Sequence, residues 1–583
     1  MQLCAALLVV FGPGVVVHAD TPKDGTPFVD QVDVNVINVE VFVTDAQGEQ
    51  VHGLTADDFE IYEDGEPVEI ANFFATRAAS RPASQQVTTA AEAPAPAVAT
   101  EGASKDVSDD QRLNLLVYVD NYNIRPASRN LVLNQMQQFL EDRLGNGDHI
   151  MLVSFSRSVR VITPFTRDRE ALFAGVDEVR GLSGRGQLAE MERAGLLNDI
   201  VTLADFGIDG YEPAISQVRS YIRSLQEDLE QSSQGLRNAT RTLAGLPGRK
   251  AVLYVSDGLS QLPGQELYDY TIRVFNEVAS EGERIFERPT ESFDFYRPEL
   301  FESIVAEANA HQVTFYTLNA AGAQRSTLLS AEYGTFGPGG TGMGEFDEIR
   351  NANLNAPMID LAERTGGRAI RGTGNFDGAL DGISRDLDNY YSLGFTPRKP
   401  GDGEYHRIRV EAKVEGLQVR HRLGYVNKPR ADRVAEWTLS SLIVGEESNP
   451  FDVKVDLGPA VAGKRDRYIQ PVIVRVPANK LALIPQNDNA GEKATHGRVS
   501  IFLAVRDSGG GLSGLHREAL PLWFGEPHER LMESGEVIYR TNLEINSGDS
   551  TLAVGVWDEL SGLESVVHRD VAVPGPEQIA AAP

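Results

Sequence analysis

Four short apolar runs set the strongest constraint on this chain. They read LNLLVYVD (113–120), HIMLVSFS (149–156), AVLYVSD (251–257) and QVTFYTLN (312–319), with amphipathic stretches between them. Strands of that length, apolar throughout and alternating with helices, can bury both faces only in a largely parallel sheet with helices on either side. The runs RAIRG and YYSLGFTP are expected to close that sheet. One of the intervening helices is long. Ile215, Val218, Ile222, Leu225, Leu229, Leu236 and Leu243 fall at spacings of three, four or seven, which gives one continuous apolar stripe. A helix lying on the sheet or on a neighbouring helix explains the stripe, and a protruding coiled-coil arm is the alternative.

On either side of this region the period changes to two. VDVNVINVEVFVTD alternates strictly, and FEIYEDGEPVEI reads as two strands around an Asp64-Gly65 turn. Residues 78–111 are rich in Ala, Pro, Thr, Ser and Gln, the composition of a flexible linker. HRIRVEAKVEGLQVRHRLGY is expected to form a hairpin turning near Gly416, and it could complete the sheet begun by the first strands. Short strands with Gly, Asn and Asp turns then recur to about residue 574, the pattern of an immunoglobulin-like β-sandwich. The echo between AVRDSGGGLSGL and GVWDELSGL needs no more than shared turn chemistry.

The chain has 583 residues and a net charge of −30, a field that repels phosphate backbones and anionic lipid, so no nucleic-acid partner is expected. CAALLVVFGPGVVV followed by VHAD reads as a signal peptide cleaved after Ala19. No Lys or Arg precedes it, which leaves the true start codon open. Its Cys4 is the sole cysteine, so an exported mature chain would have no disulfide chemistry. No later run reaches membrane-spanning length, so no stable membrane insertion is expected. A periplasmic or secreted bacterial location follows.

In an open parallel sheet, ligands bind beyond the carboxyl ends of the strands, where the strand order reverses. Asp120 and Asp257 both end strands of this sheet and are the candidates for one shared site. Taken together, LLVYVD, LVSFSRSVRVITPFTRDREAL, GRKAVLYVSDG, LAERTGGRAI and YYSLGFTP resemble a von Willebrand factor type A domain. With the leading unit VEVFVTDAQGEQVHGLTADDFEIYEDGEPVEI, the resemblance narrows to the bacterial VWFA-related family and spans about residues 32–427. The resemblance implies that the α/β domain is a doubly wound, mostly parallel sheet, and the chain as a whole reads as a multidomain α/β plus all-β protein. Its expected parts are a signal peptide (1–19), an N-terminal β unit (28–77), a linker (78–111), the α/β domain (112–397), a β-hairpin (398–428) that could complete the N-terminal unit, and a C-terminal sandwich (433–575).

Such domains often hold Mg²⁺ in an adhesion site made by an Asp-x-Ser-x-Ser loop, a threonine and a second aspartate. A partner carboxylate completes the cation's oxygen shell. By that resemblance Asp120 and Asp257 match the two aspartates, whereas Tyr122 and Ile124 stand where the serines would be. No threonine stands in the expected place, near Asp205, Asp209 and Ser216. The metal site is therefore expected to be degenerate, built at most from Asp120, Asp257, Asn121 and Asn123, with Mg²⁺ or another divalent cation as its only conceivable cofactor. The favoured expectation is that Asp120 and Asp257 are structural groups accepting backbone N–H bonds at loop and helix starts. Tyr122, Ser256, Gly258 and Asp209 are the candidate partner-binding positions.

Other chemistry finds little support. GPGGTGMGEF (337–346) lacks the Lys-Ser/Thr ending of a phosphate loop and reads as a loop over the same sheet end. There is no Gly-x-Ser-x-Gly elbow and no His-Glu-x-x-His helix. A phosphatase-like aspartyl nucleophile at Asp120 would need a second acid where Tyr122 stands. The expectation is an exported, non-enzymatic protein that binds a protein ligand through the top of the α/β domain. A structural subunit of an envelope complex, using the long helix or the sandwich, is the alternative, and an unrecognised hydrolase a third.

Overall fold

The computed structural model describes residues 36–76, 112–279, 296–322, 343–463, 467–487, 493–525 and 535–573. The expected signal peptide with Cys4, the linker 78–111 and residues 337–342 of the glycine-rich loop lie outside the described residues.

The first described strands are β1 (Ile37–Thr44), β2 (Phe59–Glu63), β3 (Glu66–Val68) and β4 (Ile70–Ala75). Asp64 and Gly65 both take positive φ, 52° and 90°, which matches the twist a two-residue hairpin needs between β2 and β3. The α/β domain follows: β5 (Leu113–Val119), α1 (Pro126–Gln135), α2 (Gln137–Gly145), β6 (His149–Phe155), β7 (Val159–Thr166), α3 (Arg169–Gly181), α4 (Gly186–Ala204) and α5 (Tyr211–Thr242). It continues with β8 (Arg249–Ser256), α6 (Gln265–Val278), α7 (Pro298–Ala310), β9 (Val313–Asn319), α8 (Met343–Arg364), β10 (Ala369–Ile370) and α9 (Phe376–Asp388).

The central sheet has the order β10-β9-β8-β5-β6-β7. Its first five strands run parallel, and β7 returns antiparallel to β6. Alternate residues of β5 enter two separate cores. Leu113, Leu115, Val117 and Val119 pack with α1, α2, α3 and α9, while Leu116 and Tyr118 pack with α5, α7 and α8. A third core joins α4, the first half of α5 and α6 into a helical cap. The apolar stripe of α5 is thus covered within the chain: Ile215, Val218 and Ile222 by the cap, and Leu229, Leu236 and Leu243 by the sheet.

Next come β11 (Tyr391–Phe395), β12 (Tyr405–Ala412), β13 (Gln418–His421) and β14 (Gly424–Val426). YYSLGFTP does not close the α/β sheet. β11 pairs antiparallel with β1 and β4, which buries Leu393 and Phe395 in a separate core. Nor is the segment after it a simple hairpin. The chain turns at Gly416, but β13 joins β1 while β12 joins β2 and β14. The result is two four-stranded sheets, β13-β1-β11-β4 and β14-β12-β2-β3, around one core, with the α/β domain inserted between β4 and β11.

Helix α10 (Arg430–Val444) leads to β15 (Lys454–Leu457), β16 (Val461–Ala462), β17 (Arg467–Pro477), β18 (Ile484–Asn487), β19 (Lys493–Asp507), β20 (His516–Gly525), β21 (Glu536–Asn546), β22 (Gly548–Asp558) and β23 (Glu564–Val573). One sheet groups β15, β16, β17 and β21, the other β18, β19, β20, β22 and β23. Val472, Val474, Val537 and Tyr539 from the first pack against Ile501, Leu503, Val554 and Val556 from the second, as in any two-sheet sandwich.

Candidate functional site

From β5 the chain crosses to β6 on one side, and from β8 to β9 on the other, so the carboxyl ends of β5 and β8 flank the switch point of the sheet. Asp120 and Asp257 lie immediately beyond those ends. The site is therefore built on adjacent central strands.

Asp120 is 1% exposed, and both carboxylate oxygens are committed. Oδ2 accepts from the Tyr254 hydroxyl at 2.6 Å, Asn123 Nδ2 at 2.9 Å and Ser256 Oγ at 3.2 Å, and Oδ1 accepts from the Asn123 N–H at 3.1 Å. Burial raises its pKa, and these donors only partly offset the rise. Asp257 sits beside Arg125, whose Nε donates to Oδ2 at 2.7 Å and whose backbone N–H donates to the same oxygen at 3.1 Å. Its other oxygen is buried without a hydrogen-bond partner. Burial again raises the pKa, with the Arg125 guanidinium opposing it.

Asn121 faces away from this pair. Its amide donates to Ser183 O at 2.6 Å and Ser156 Oγ at 3.2 Å, while its carbonyl accepts from the buried Arg129 guanidinium. Arg129 in turn donates to Arg180 O and Leu182 O, both at 2.8 Å, tying the β5 loop to the end of α3. The Tyr122 hydroxyl donates to Asp228 Oδ1 at 2.5 Å and accepts from Arg157 and Arg185. Arg185 also pairs with Asp228, and both guanidinium groups lie over the Tyr122 ring, 5.5 and 4.9 Å from its centroid.

Beside Tyr122, Asn123, Arg125 and Asp257 lies a cleft of about 140 Å³, floored by the β5 and β8 loops and walled by α4, α5 and Leu354 of α8; Asp120 and Asn121 do not line it. Two glycines allow the walls to approach. A Cβ on Gly186, at the start of α4, would stand 2.5 Å from the Ile124 carbonyl carbon. A Cβ on Gly258, at φ 132°, would meet Leu354 Cβ at 2.7 Å. The charges of the cleft are matched: Arg125 with Asp257, Arg185 with Asp228 and Glu192, Arg350 with Glu190, and the buried Arg193 with Glu266.

This donor set does not fit a divalent cation, which needs about six oxygen ligands in near-octahedral array. Asp120 has its oxygens satisfied, Asn121 is turned to Arg129, and a guanidinium already neutralises Asp257. Among the described residues no three His, Cys, Asp or Glu side chains are grouped to hold a metal. Of the expected partner-binding positions, Ser256 and Gly258 are buried and Tyr122 is 6% exposed, so none of these presents a side chain freely to a macromolecule. Asp209 is exposed in the turn between α4 and α5 and does not line the cleft. Arg125, Arg129, Arg185 and Asp228 were not among the sequence candidates. Arg125 had a local signal, a cation five residues after Asp120 in the same loop. Asp228 had none, since an acid flanked by Glu227 and Glu230 within an amphipathic helix reads as part of a solvated face.

The molecule is thus a multidomain protein of α/β and all-β parts, with an ion-paired cleft at the switch point of its mixed sheet. No family model matches the chain, and neither does any curated protein. Solved structures similar to it include an aerotolerance-related membrane protein from Bacteroides fragilis, 11% identical over 47% of this chain and 98% of that one, at a TM-score of 0.23. The conserved hypothetical protein BatB from Bacteroides thetaiotaomicron is 10% identical over 48% of this chain and 97% of its own, also at 0.23. The pilus adhesin SpaC from Lactobacillus rhamnosus GG is 8% identical over 81% and 71%, at 0.26. Scores this low leave the argument to the topology and the side chains of the chain itself.

Proposed function

We propose that this chain is an exported, non-enzymatic protein of the von Willebrand factor type A kind that binds a protein partner without a metal ion. The observation that carries the reading is the Arg125–Asp257 pair, in which an internal guanidinium takes the place of the cation beside the strand-end carboxylate. The sheet order supports the fold half of the proposal. Recognition then falls to the helical cap beside the cleft, where Leu188 and Met191 on α4 are 51% and 56% exposed, and Phe206 after α4 is 69% exposed. Large apolar side chains that stand this far into solvent suit a protein surface better than a small ligand.

The test is affinity capture from envelope and secreted fractions of a native host, with wild type, the double variant Leu188→Glu/Met191→Glu, and the sandwich variant Leu512→Glu. A partner retained by wild type in chelator, lost by the cap variant and kept by the sandwich variant supports the proposal. A partner that needs Mg²⁺, or that is lost only with Leu512→Glu, sinks it.

A further inference from the structure

At the opposite end of the sheet, where the three parts of the molecule meet, lies a cavity of about 720 Å³. Its walls come from β1 and β4, from the turn between α5 and β8, from the end of α7, from α10, and from Ser448 and Glu564 of the sandwich. The junction is close-packed at its rim: a Cβ on Gly245, at φ 73°, would stand 2.2 Å from the Trp437 backbone nitrogen. The cavity itself stays open.

Its charge runs against that of the chain. Arg249, Lys250, Arg422, Lys428, Arg430 and Arg433 line it, against the carboxylates of Glu40, Glu436 and Glu564. Each of those acids has a basic partner within 4 Å: Glu40 with Arg249, Glu436 with Lys428, and Glu564 with Arg430. Lys250 and Arg422 have no carboxylate of the described residues within ion-pair distance. Lys250 donates to Leu246 O at 3.2 Å, and desolvation, with Arg422 and Lys428 nearby, lowers its ammonium to about 8. Arg422 is 5% exposed and its Nη1 has no hydrogen-bond partner. A buried guanidinium nitrogen without a partner is costly, and an anion's oxygen would satisfy it. Trp437, Tyr390 and Phe73 add apolar surface to the same walls.

We propose that this junction binds a small oxyanion of two or more negative charges, a polycarboxylate or a phosphate compound, held chiefly by Arg422 and Lys250. Because the walls belong to three parts of the chain, the bound anion ties them together and stabilises their assembly. The proposal is independent of what the cap recognises.

The test is isothermal titration calorimetry of the whole chain with citrate and with pyrophosphate, alongside thermal midpoints in 1 mM of each. Sulfate and chloride at equal ionic strength control for general salt stabilisation. The expected result is saturable binding with a raised midpoint, and a loss of at least tenfold in affinity in Lys250→Met. Arg422→Met is the second variant, and its far-ultraviolet dichroism reports whether it folds. Binding of citrate alone assigns a carboxylate ligand, of pyrophosphate alone a phosphate ligand, and of both a site that reads charge. If neither anion exceeds the sulfate control, or if Lys250→Met binds as wild type does, the proposal is overturned.

Discussion

Removing Arg125 would leave the Asp257 carboxylate buried beside Glu190 without the guanidinium that now meets it. Breaking such a pair from one side costs about 3 kcal/mol, because the remaining charge is stranded. Arg125→Ala is therefore expected to lower stability by about that much in urea unfolding, and Arg125→Ala/Asp257→Asn to recover more than half of the loss. A double variant as unstable as the single one would mean the two groups are not coupled. With the guanidinium in place, the thermal midpoint of wild type should be the same in chelator and in millimolar Mg²⁺ or Mn²⁺. A rise that disappears in Asp120→Ala would restore the cation. Asp148 gives the pH test. Burial, only partly opposed by Arg143, raises its carboxyl from 3.8 to about 6. The folded state then holds a proton that the unfolded chain releases near pH 4, so stability falls as pH rises from about 4 to about 6. Over that window Asp148→Asn should gain up to roughly 3 kcal/mol on wild type, read from urea midpoints at each pH. A constant difference between the two proteins from pH 4 to 7 would contradict the shift. At this scale the sequence was informative about position: an apolar run closed by an acid placed Asp120 and Asp257 just beyond strand ends. It was silent about partners 35 to 132 residues away, such as Ser156 for Asn121, Asp228 for Tyr122 and Asp257 for Arg125, since nothing local records which side chains the fold brings together.

Helices α4 and α5 each carry a glycine that tests how their faces are used. Gly195 of α4 is exposed, and a Cβ there would have nothing within 4 Å. Gly195→Ala should stabilise by about 0.5–1 kcal/mol, since alanine costs less backbone entropy in a helix. Gly235 of α5 lies over the sheet, where a Cβ would stand 2.6 Å from the Phe155 ring and 2.9 Å from the Tyr118 hydroxyl. There the same change should destabilise by about 1–3 kcal/mol through overpacking, despite the better propensity. Opposite signs in parallel urea titrations are the expected outcome, and equal stabilisation would mean that α5 does not press on β5 and β6 as described. The apolar spacing of α5 made its helix legible in the sequence, because burial of one face imposes the period. What covered the stripe was not legible, since a helical cap and a coiled-coil partner ask for the same residues. For β11 and β13 the limit was different: an alternating run specifies a half-buried strand, but neither its neighbours nor its sheet.

Glu40 and Arg249 connect the β unit to the base of the α/β domain. Arg249 Nε donates to Glu40 Oε1 at 2.8 Å, its Nη1 donates to Leu387 O at 2.7 Å, and its guanidinium lies 3.7 Å from the centroid of the Tyr390 ring. Burial pushes the Glu40 carboxyl up, but Arg249 more than offsets it, so the pair stays ionised and couples the two parts. The chain enters the β unit, leaves for the whole α/β domain and returns, so β1 finds β11 and β13 only across more than 300 residues. Pairing over that distance has no local signature, which is why the β unit was readable as strands and not as a sandwich. Its two sheets are completed only when the inserted domain has brought its ends together, so the two parts should unfold as one. The C-terminal sandwich has its own core, drawn from residues 451–573. It meets the rest partly through α10, whose Val434 and Leu442 rest against Phe502, Ala504 and Ala553, and whose Ile443 and Val444 touch the α/β core. Calorimetry of the whole chain should therefore show two transitions. Glu40→Ala strands Arg249 and should lower the one shared by the β unit and α/β domain by roughly 6–10 °C, leaving the sandwich transition in place. Movement of both transitions together would show that α10 welds the sandwich to the other two, and that the molecule folds as a single cooperative unit.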